Sequence, residues 1–175
     1  MNRIVGFPNP VNEVSARVVA GGVMLMAAFA LVFRQPWVLI PLAYGFWARV
    51  LTGPKLSPLG QFATRVVTPA LPVAAKPVPG PPKRFAQGIG AAVTTVALLL
   101  HFVFDFTTGA YMLLGLMVVF ATLESVFAIC VGCRIFAVLM RLGVIPADVC
   151  EACNDIWARQ TAPNRSVATE RHIWP

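Results

Sequence analysis

The sequence predicts an all-α, polytopic membrane protein: four transmembrane helices arranged as two hairpins, with short interfacial helices beside them. Three observations predict it. First, the 175 residues are 58% hydrophobic and only 12% charged, against roughly 45–50% and 25% in soluble globular chains. Too few polar side chains are present to cover a water-exposed surface, whereas lipid removes that need. Second, four apolar runs approach the length that crosses a bilayer. Third, the charges gather in three regions that four spans place on one side of the membrane.

Residues 1–15 form an N-terminal cytoplasmic segment. Met1 to Pro10 is too short and too broken by proline to be the apolar core of a cleavable signal, and reads as an extended stretch near the membrane surface. Asn12, Glu13 and Ser15 offer caps for the first helix. Residues 16–52 make the first transmembrane hairpin, from Val18–Phe33 and Pro36–Leu51. Both runs are slightly short of the ~20 residues that a spanning helix wants. Arg17 and Arg49 stand at their inner ends, where long side chains snorkel to the headgroups. Pro41 predicts a kink, and Trp37, Tyr44, Trp47 and Tyr111 are candidate interfacial aromatics.

Residues 53–83 form a proline-rich cytoplasmic connection. Thr68-Pro69-Ala70-Leu71-Pro72 and Lys76 to Lys83 cannot continue one helix and predict an extended crossover. Residues 84–133 make the second hairpin, from Phe85–Phe104 and Ala110–Val131, and residues 134–175 a cytoplasmic tail that carries cysteine. Weak echoes link the halves: Arg17-Val18-Val19-Ala20-Gly21 with Arg84-Phe85-Ala86-Gln87-Gly88, and Phe62-Ala63 with Phe136-Ala137. The spacing between them drifts, so duplication stays open. A two-span unit copied once gives parallel repeats, not inverted ones.

The net charge of +7 invites a nucleic-acid reading, which its distribution opposes. Of the fourteen Lys and Arg residues only Arg34 falls between the first two spans, and Asp105 is the one charge between the last two. The remaining basic residues put both termini and the middle connection in the cytoplasm, as in a multi-pass protein of the inner (plasma) membrane. No basic stripe interleaves with exposed aromatics, so nucleic acid is not an expected partner; the lipid bilayer is.

Four cysteines, in the pattern C-x2-C-x16-C-x2-C, are Cys130, Cys133, Cys150 and Cys153. On the cytoplasmic side thiols are kept reduced, which argues against a permanent structural disulfide. Three readings stay open, the plainest being that some of these cysteines are merely small buried hydrophobes. In the redox reading, a helical Cys-x-x-Cys puts both sulfurs on one face. Arg134 stands beside Cys133 to favour a thiolate, and the second pair follows a helix start at Pro146-Ala147-Asp148, whose dipole lowers thiol pKa while Glu151 opposes it. Two adjacent pairs can then pass a disulfide by exchange. In the metal reading, the spacing falls within the window of zinc sites, and one Zn2+ takes four tetrahedral thiolates from Cys130, Cys133, Cys150 and Cys153. The chain reversal at Leu142 to Pro146 permits this.

Ser57-Pro58-Leu59-Gly60, Lys83-Arg84-Phe85-Ala86-Gln87 and Cys130-Val131-Gly132-Cys133-Arg134-Ile135-Phe136 resemble a bacterial family of small four-span integral membrane proteins catalogued as a domain of unknown function. The resemblance covers about residues 10–142 and centres on the first cysteine pair. Members of that family are often encoded near thioredoxin-like and rhodanese-like sulfurtransferase proteins. The resemblance therefore implies thiol or sulfane-sulfur traffic, with such a protein as partner.

Glu124 is the one acid deep in a span. Burying it charged is costly, so it is expected neutral, paired or hydrated; Thr94, Thr95 and Tyr44 are its expected neighbours. It is a candidate proton donor or acceptor for thiol exchange, although six residues from Cys130 put the two on different faces of one helix. His101 and Asp105, four apart, read as a local pair. No phosphate loop, Ser/His/Asp set or metalloprotease motif is present, and Gly21-Gly22, Gly88-Gly90 and Ala91-Ala92 read as close helix contacts. The expected function is a membrane-embedded thiol–disulfide or sulfur relay, oxidoreductase-like in chemistry and without a cofactor. The alternatives are a binding or assembly protein held by a structural tetrathiolate zinc, and a transporter of a small sulfur compound.

Overall fold

In the computed structural model, residues 9–73 and 76–150 are described. Residues 1–8 of the N-terminal segment, Cys153 and the tail from 151 onward lie outside them.

The described chain is all-α apart from one two-residue ribbon. Strand β1 (Val11–Asn12) leads into α1 (Glu13–Val32). Asn12 caps α1 by accepting the Val14 amide at 3.0 Å, as the capping sequence predicts. A 3-10 turn at Pro36–Val38 opens α2 (Leu39–Thr52). A second such turn, Gly53–Lys55, leads to α3 (Pro58–Phe62), which runs through a π-helical turn at Ala63–Val67 into α4 (Thr68–Ala70). Strand β2 (Pro77–Val78) pairs antiparallel with β1, Val11 opposite Val78. Then come α5 (Gly80–Phe102), α6 (Thr107–Phe127) and α7 (Val131–Arg141).

Three of these helices, α1, α5 and α6, are long and apolar enough to cross a membrane. The second apolar run yields a shorter helix. Its 14 helical residues, at 1.5 Å each, reach about 21 Å against ~30 Å of hydrocarbon. Even so, α2 exposes Ile40, Tyr44, Trp47 and Leu51, a stripe at helical spacing. It turns Leu39, Leu42 and Phe46 inward.

The helices do not pack chiefly in their chain-order pairs. Helix α1 lies mainly against α6, and α2 against α5; α1 and α2 touch little, while α5 and α6 also meet each other. The core joining them is built from small and medium side chains, among them Ala27, Ala30, Leu114, Met117 and Ala121. Outside it, apolar residues are broadly exposed: Leu25, Phe29, Leu99, Leu116, Val119 and Phe127 all face outward. So wide an apolar surface on a water-soluble monomer would be anomalous; around helices of spanning length it is the lipid-facing side. Small residues work as expected at some positions only. A Cβ on Gly90 would run into the Phe46 ring and one on Gly22 would meet the Leu59 methyl at 2.5 Å, whereas Gly88 faces open space.

Four local readings change. The third apolar helix starts at Gly80, not at Phe85. Pro81 and Pro82 occupy its first turn, where a missing amide costs nothing, so Lys83 is a helical residue. The connection is extended only in part, because 58–70 is helical. His101 and Asp105 form no pair: α5 stops at Phe102 and Asp105 turns left-handed at φ 52°, which ends the i, i+4 geometry, and His101 packs against the Phe102 and Tyr111 rings. Arg17 does not only snorkel. Its guanidinium donates to the Ser125 and Val126 carbonyls at 3.0 Å, covering unsatisfied acceptors at the C-terminal end of α6.

Candidate functional site

The fourth apolar run does not continue to Val131. Helix α6 ends at Phe127, and Ala128 takes a left-handed conformation at φ 57°. The Ile129 amide closes back on the Leu123 carbonyl at 3.0 Å, which is a Schellman-type stop made without glycine. The chain reverses there, and Cys130 becomes the N-cap of α7. The first cysteine pair therefore does not end a transmembrane helix. It begins the next, strongly amphipathic one.

This position decides the chemistry. Cys130 Sγ accepts the Cys133 amide at 3.4 Å and lies 2.7 Å from Cys133 Sγ, against about 2.05 Å in a formed disulfide. Both thiols are free, Cys130 buried and Cys133 half-buried. The Cys133 S–H donates to Cys130, which holds the Cys130 thiol below its ordinary range; burial and the Glu124 charge oppose this, and the Lys83 charge and the Cys133 amide support it. The same hydrogen bond, with burial, pushes Cys133 far up. The hydrogen bond thus drives the two thiols apart, Cys130 down and Cys133 up. The amide ends of α7 add to the first effect.

Lys83 is the charged partner, and neither it nor its role is evident from the motif. Its Nζ meets Glu124 Oε1 at 2.6 Å, with side-chain exposures of 11% and 17%. Glu124 is therefore paired, but not with its expected neighbours. Thr94 and Thr95 bond back to carbonyls of α5, and Thr95 also accepts the Trp47 indole N–H. Tyr44 donates to the Leu56 carbonyl. Runs bounded at Phe85 and Val131 gave no signal for Lys83; the observed helix ends account for the pairing. Glu124 stands three residues before the end of α6 at Phe127, and Lys83 three residues after the start of α5 at Gly80. In antiparallel neighbours those counts give equal depth.

Gly132 lets the pair reach this partner. A Cβ there would lie 2.5 Å from Ala86 Cβ and 2.7 Å from Ala86 Cα, so only glycine allows α7 to touch α5 one turn beyond Lys83. Phe136, buried, stacks tilted on Phe85 at 5.5 Å and holds the contact. Arg134 lies at the rim of an open cleft of about 400 Å3, with Lys76, Lys83, Cys130 and Cys133. On its other side Cys130 lines a mainly apolar cavity of about 100 Å3, shared with Gln87, Phe120 and Glu124.

The four cysteines are not seen as one cluster. Cys150, at the end of a 3-10 turn (Ala147–Cys150), is buried and disulfide-bonded, so it presents no thiolate in this state. Cys153 lies outside the described residues. Among those residues no group of three or more His, Cys, Asp or Glu side chains gathers to hold a metal ion. The zinc donors visible together are Cys130 and Cys133.

Residues 11–141 match the family model described as a domain of unknown function, DUF4395. No curated protein and no solved structure matches the chain.

Proposed function

The chain belongs to the DUF4395 family, and from that premise and the chemistry of its own residues we propose a membrane-embedded thiol–disulfide or sulfur relay. Cys130 is the attacking sulfur and Cys133 the resolving one. The observation that carries this reading is the pairing of Cys130, which caps α7, with Cys133 at 2.7 Å, the first thiol lowered and the second raised by the hydrogen bond between them.

In the disulfide form, the Cys130 thiolate attacks one sulfur of a partner disulfide. A Cys130–partner bond forms, and the partner's second sulfur leaves as a thiolate. Cys133 gives up its proton to that thiolate and attacks Cys130, forming the Cys130–Cys133 disulfide and releasing the reduced partner. The partner gains two electrons and the pair loses two; the reverse sequence resets it. In the sulfur form, Cys130 takes the outer sulfur of a partner persulfide, becomes a persulfide itself, and leaves the donor as a thiolate. The open cleft beside Lys83 and Arg134 supports approach by a soluble thioredoxin-like or sulfurtransferase-like protein. Cys150 and Cys153 are the second pair that such a relay would use.

The reading includes a topology. Helices α1, α5 and α6 are joined by α2 as a fourth, short span, with both termini and the cysteine pairs at the cytoplasmic face of the inner membrane. Reporter fusions after Arg34 and after Arg141 test it: they are expected on opposite sides, and the same side for both would refute four spans.

The chemical test combines metal analysis, thiol counting and trapping on freshly purified protein. Cys133→Ser is expected to accumulate a mixed disulfide through Cys130 with a partner supplied in its disulfide form, and Cys130→Ser to abolish it. One zinc per chain with no titratable thiol would overturn the relay in favour of the tetrathiolate clamp.

A further inference from the structure

The relay rests on Cys130 and Cys133 beside Lys83, and leaves unexplained the most deeply buried cation among the described residues. Arg49 near the end of α2 is 5% exposed. Three of its contacts lock the guanidinium in place. Nε donates to Gln87 Oε1 at 2.8 Å, Nη1 donates to Ser57 Oγ at 3.1 Å, and the Phe46 ring lies under the group at 4.6 Å. Among the described residues, Nη2 is buried and has no hydrogen-bond partner. A guanidinium nitrogen without an acceptor, away from water, is among the costlier things a fold can hold.

Arg49 lines a cavity of about 230 Å3 beneath β1, bounded by α1, α2, α3 and α5. That is far above the roughly 10–15 Å3 that one water requires. Lys83, itself 9% exposed, lines the same cavity, as do the polar side chains of Asn12, Ser15, Thr64 and Gln87. Among the described residues no carboxylate lines it; Glu124, the partner of Lys83, faces the apolar cavity on the other side. Two buried cations thus share one carboxylate, which leaves an unmatched positive charge beside a mainly apolar cavity that those few polar side chains edge.

We propose that this cavity is a binding site for a small oxyanion of the phosphate or sulfate type, held by Arg49 Nη2 and Lys83. A guanidinium braced at Nε and Nη1 keeps Nη2 as its one unpaired donor among the described residues, and guanidinium–oxyanion hydrogen bonds are charge-assisted. The anion balances the excess charge of Arg49 and Lys83. The same chemistry is available from a free inorganic ion or from the phosphate of a lipid headgroup, since β1 and α3 lie at the end of the bundle where headgroups would be.

The test uses the full-length protein in neutral detergent, in buffer free of phosphate and sulfate, at constant ionic strength set with gluconate. Sodium sulfate and inorganic phosphate are titrated while the melting temperature is followed. A saturable rise is expected, with its midpoint at least tenfold higher in Arg49→Gln and intermediate in Arg49→Lys. In a second arm without free oxyanion, nanodiscs of phosphatidylglycerol are compared with phosphatidylcholine. A rise lost in Arg49→Gln, whether in phosphatidylglycerol alone or in both lipids, each of which carries a phosphate, assigns the site to a headgroup. No rise in either arm, or an equal rise in Arg49→Gln, overturns the proposal. If Arg49→Gln fails to fold, equilibrium dialysis of radiolabelled sulfate decides with wild type and Arg49→Lys: one ion per chain, weakened by lysine, supports the site, and none refutes it. Thiol trapping through Cys130 is scored separately, so failure of the anion site and failure of the relay are distinguishable.

Discussion

Replacing Cys133 by alanine removes the S–H that donates to Cys130 at 2.7 Å while leaving the Cys133 backbone amide and α7 in place. That hydrogen bond is the largest influence lowering the Cys130 thiol, so its loss must raise it. A hydrogen bond to a charged group is worth about 1.5–3 kcal/mol, or about a tenfold to hundredfold fall in thiolate at a pH below the transition, at ~1.4 kcal/mol per decade. A less stabilised thiolate is also more nucleophilic, with a Brønsted slope near ~0.5, which halves the effect on a logarithmic scale. The alkylation rate of Cys130 at pH 7 is therefore expected to fall about threefold to tenfold. The sign is fixed: the reactive thiolate accumulates as pH rises through the Cys130 transition, so the rate profile should move to higher pH. Iodoacetamide labelling of reduced protein across a pH series, quantified at Cys130 by mass spectrometry, reads both changes. Cys133→Ser, which keeps a donor, is expected to stay closer to wild type. An unchanged profile in Cys133→Ala, or faster labelling at pH 7, would refute a thiolate held by its neighbour.

Other outcomes follow from the same geometry. Gly132→Ala drives a methyl into Ala86, at 2.5 Å from its Cβ, and is expected to cost about 1–3 kcal/mol as overpacking, read as a lower melting temperature together with faster Cys130 labelling as α7 is pushed away; no change in either would mean that the contact is not made. Glu124→Leu leaves Lys83 buried without its partner, for which about 3–5 kcal/mol is typical, and adding Lys83→Met should recover most of the loss. Thermal unfolding of the two variants gives that comparison, and equal losses would refute a coupled pair. Ala128→Gly relieves a left-handed alanine, φ 57°, whose strain is roughly 1–2 kcal/mol. After the added chain entropy of glycine, a gain of about 0.5–1 kcal/mol is expected in reversible unfolding, and a loss would argue against the turn.

Much of the architecture was legible because lipid imposes simple demands. Long apolar runs had to become helices, and α1, α5 and α6 did so. Asn12 was readable as a cap because its side chain competes for an amide two residues away, a purely local matter. The end of α6 was not readable in this way. Ala128 carries no stop signal, and apolar residues continue through Ile129 to Val131, so hydropathy runs straight past the reversal. The echo between the halves acquires a concrete form at this point. Ser57 accepts the Gly60 amide at the head of α3, as Cys130 accepts the Cys133 amide at the head of α7. Each cap follows an apolar helix, and each sits beside a buried cation, Arg49 in one case and Lys83 in the other.

By itself the sequence determined what depends on composition and on neighbours along the chain: a helical protein made for lipid, an Asn-capped first helix, and a first cysteine pair spaced to place two sulfurs together. Only the tertiary structure decided that Cys130 starts a helix instead of ending one, that Lys83 and not a threonine meets Glu124, and that Gly132 brings both to the thiols. The reason is physical. Hydrophobicity and capping act over a few residues and leave a readable pattern, whereas the state of a buried charge depends on whichever group the packing of α5, α6 and α7 sets beside it, and no local pattern records that distance.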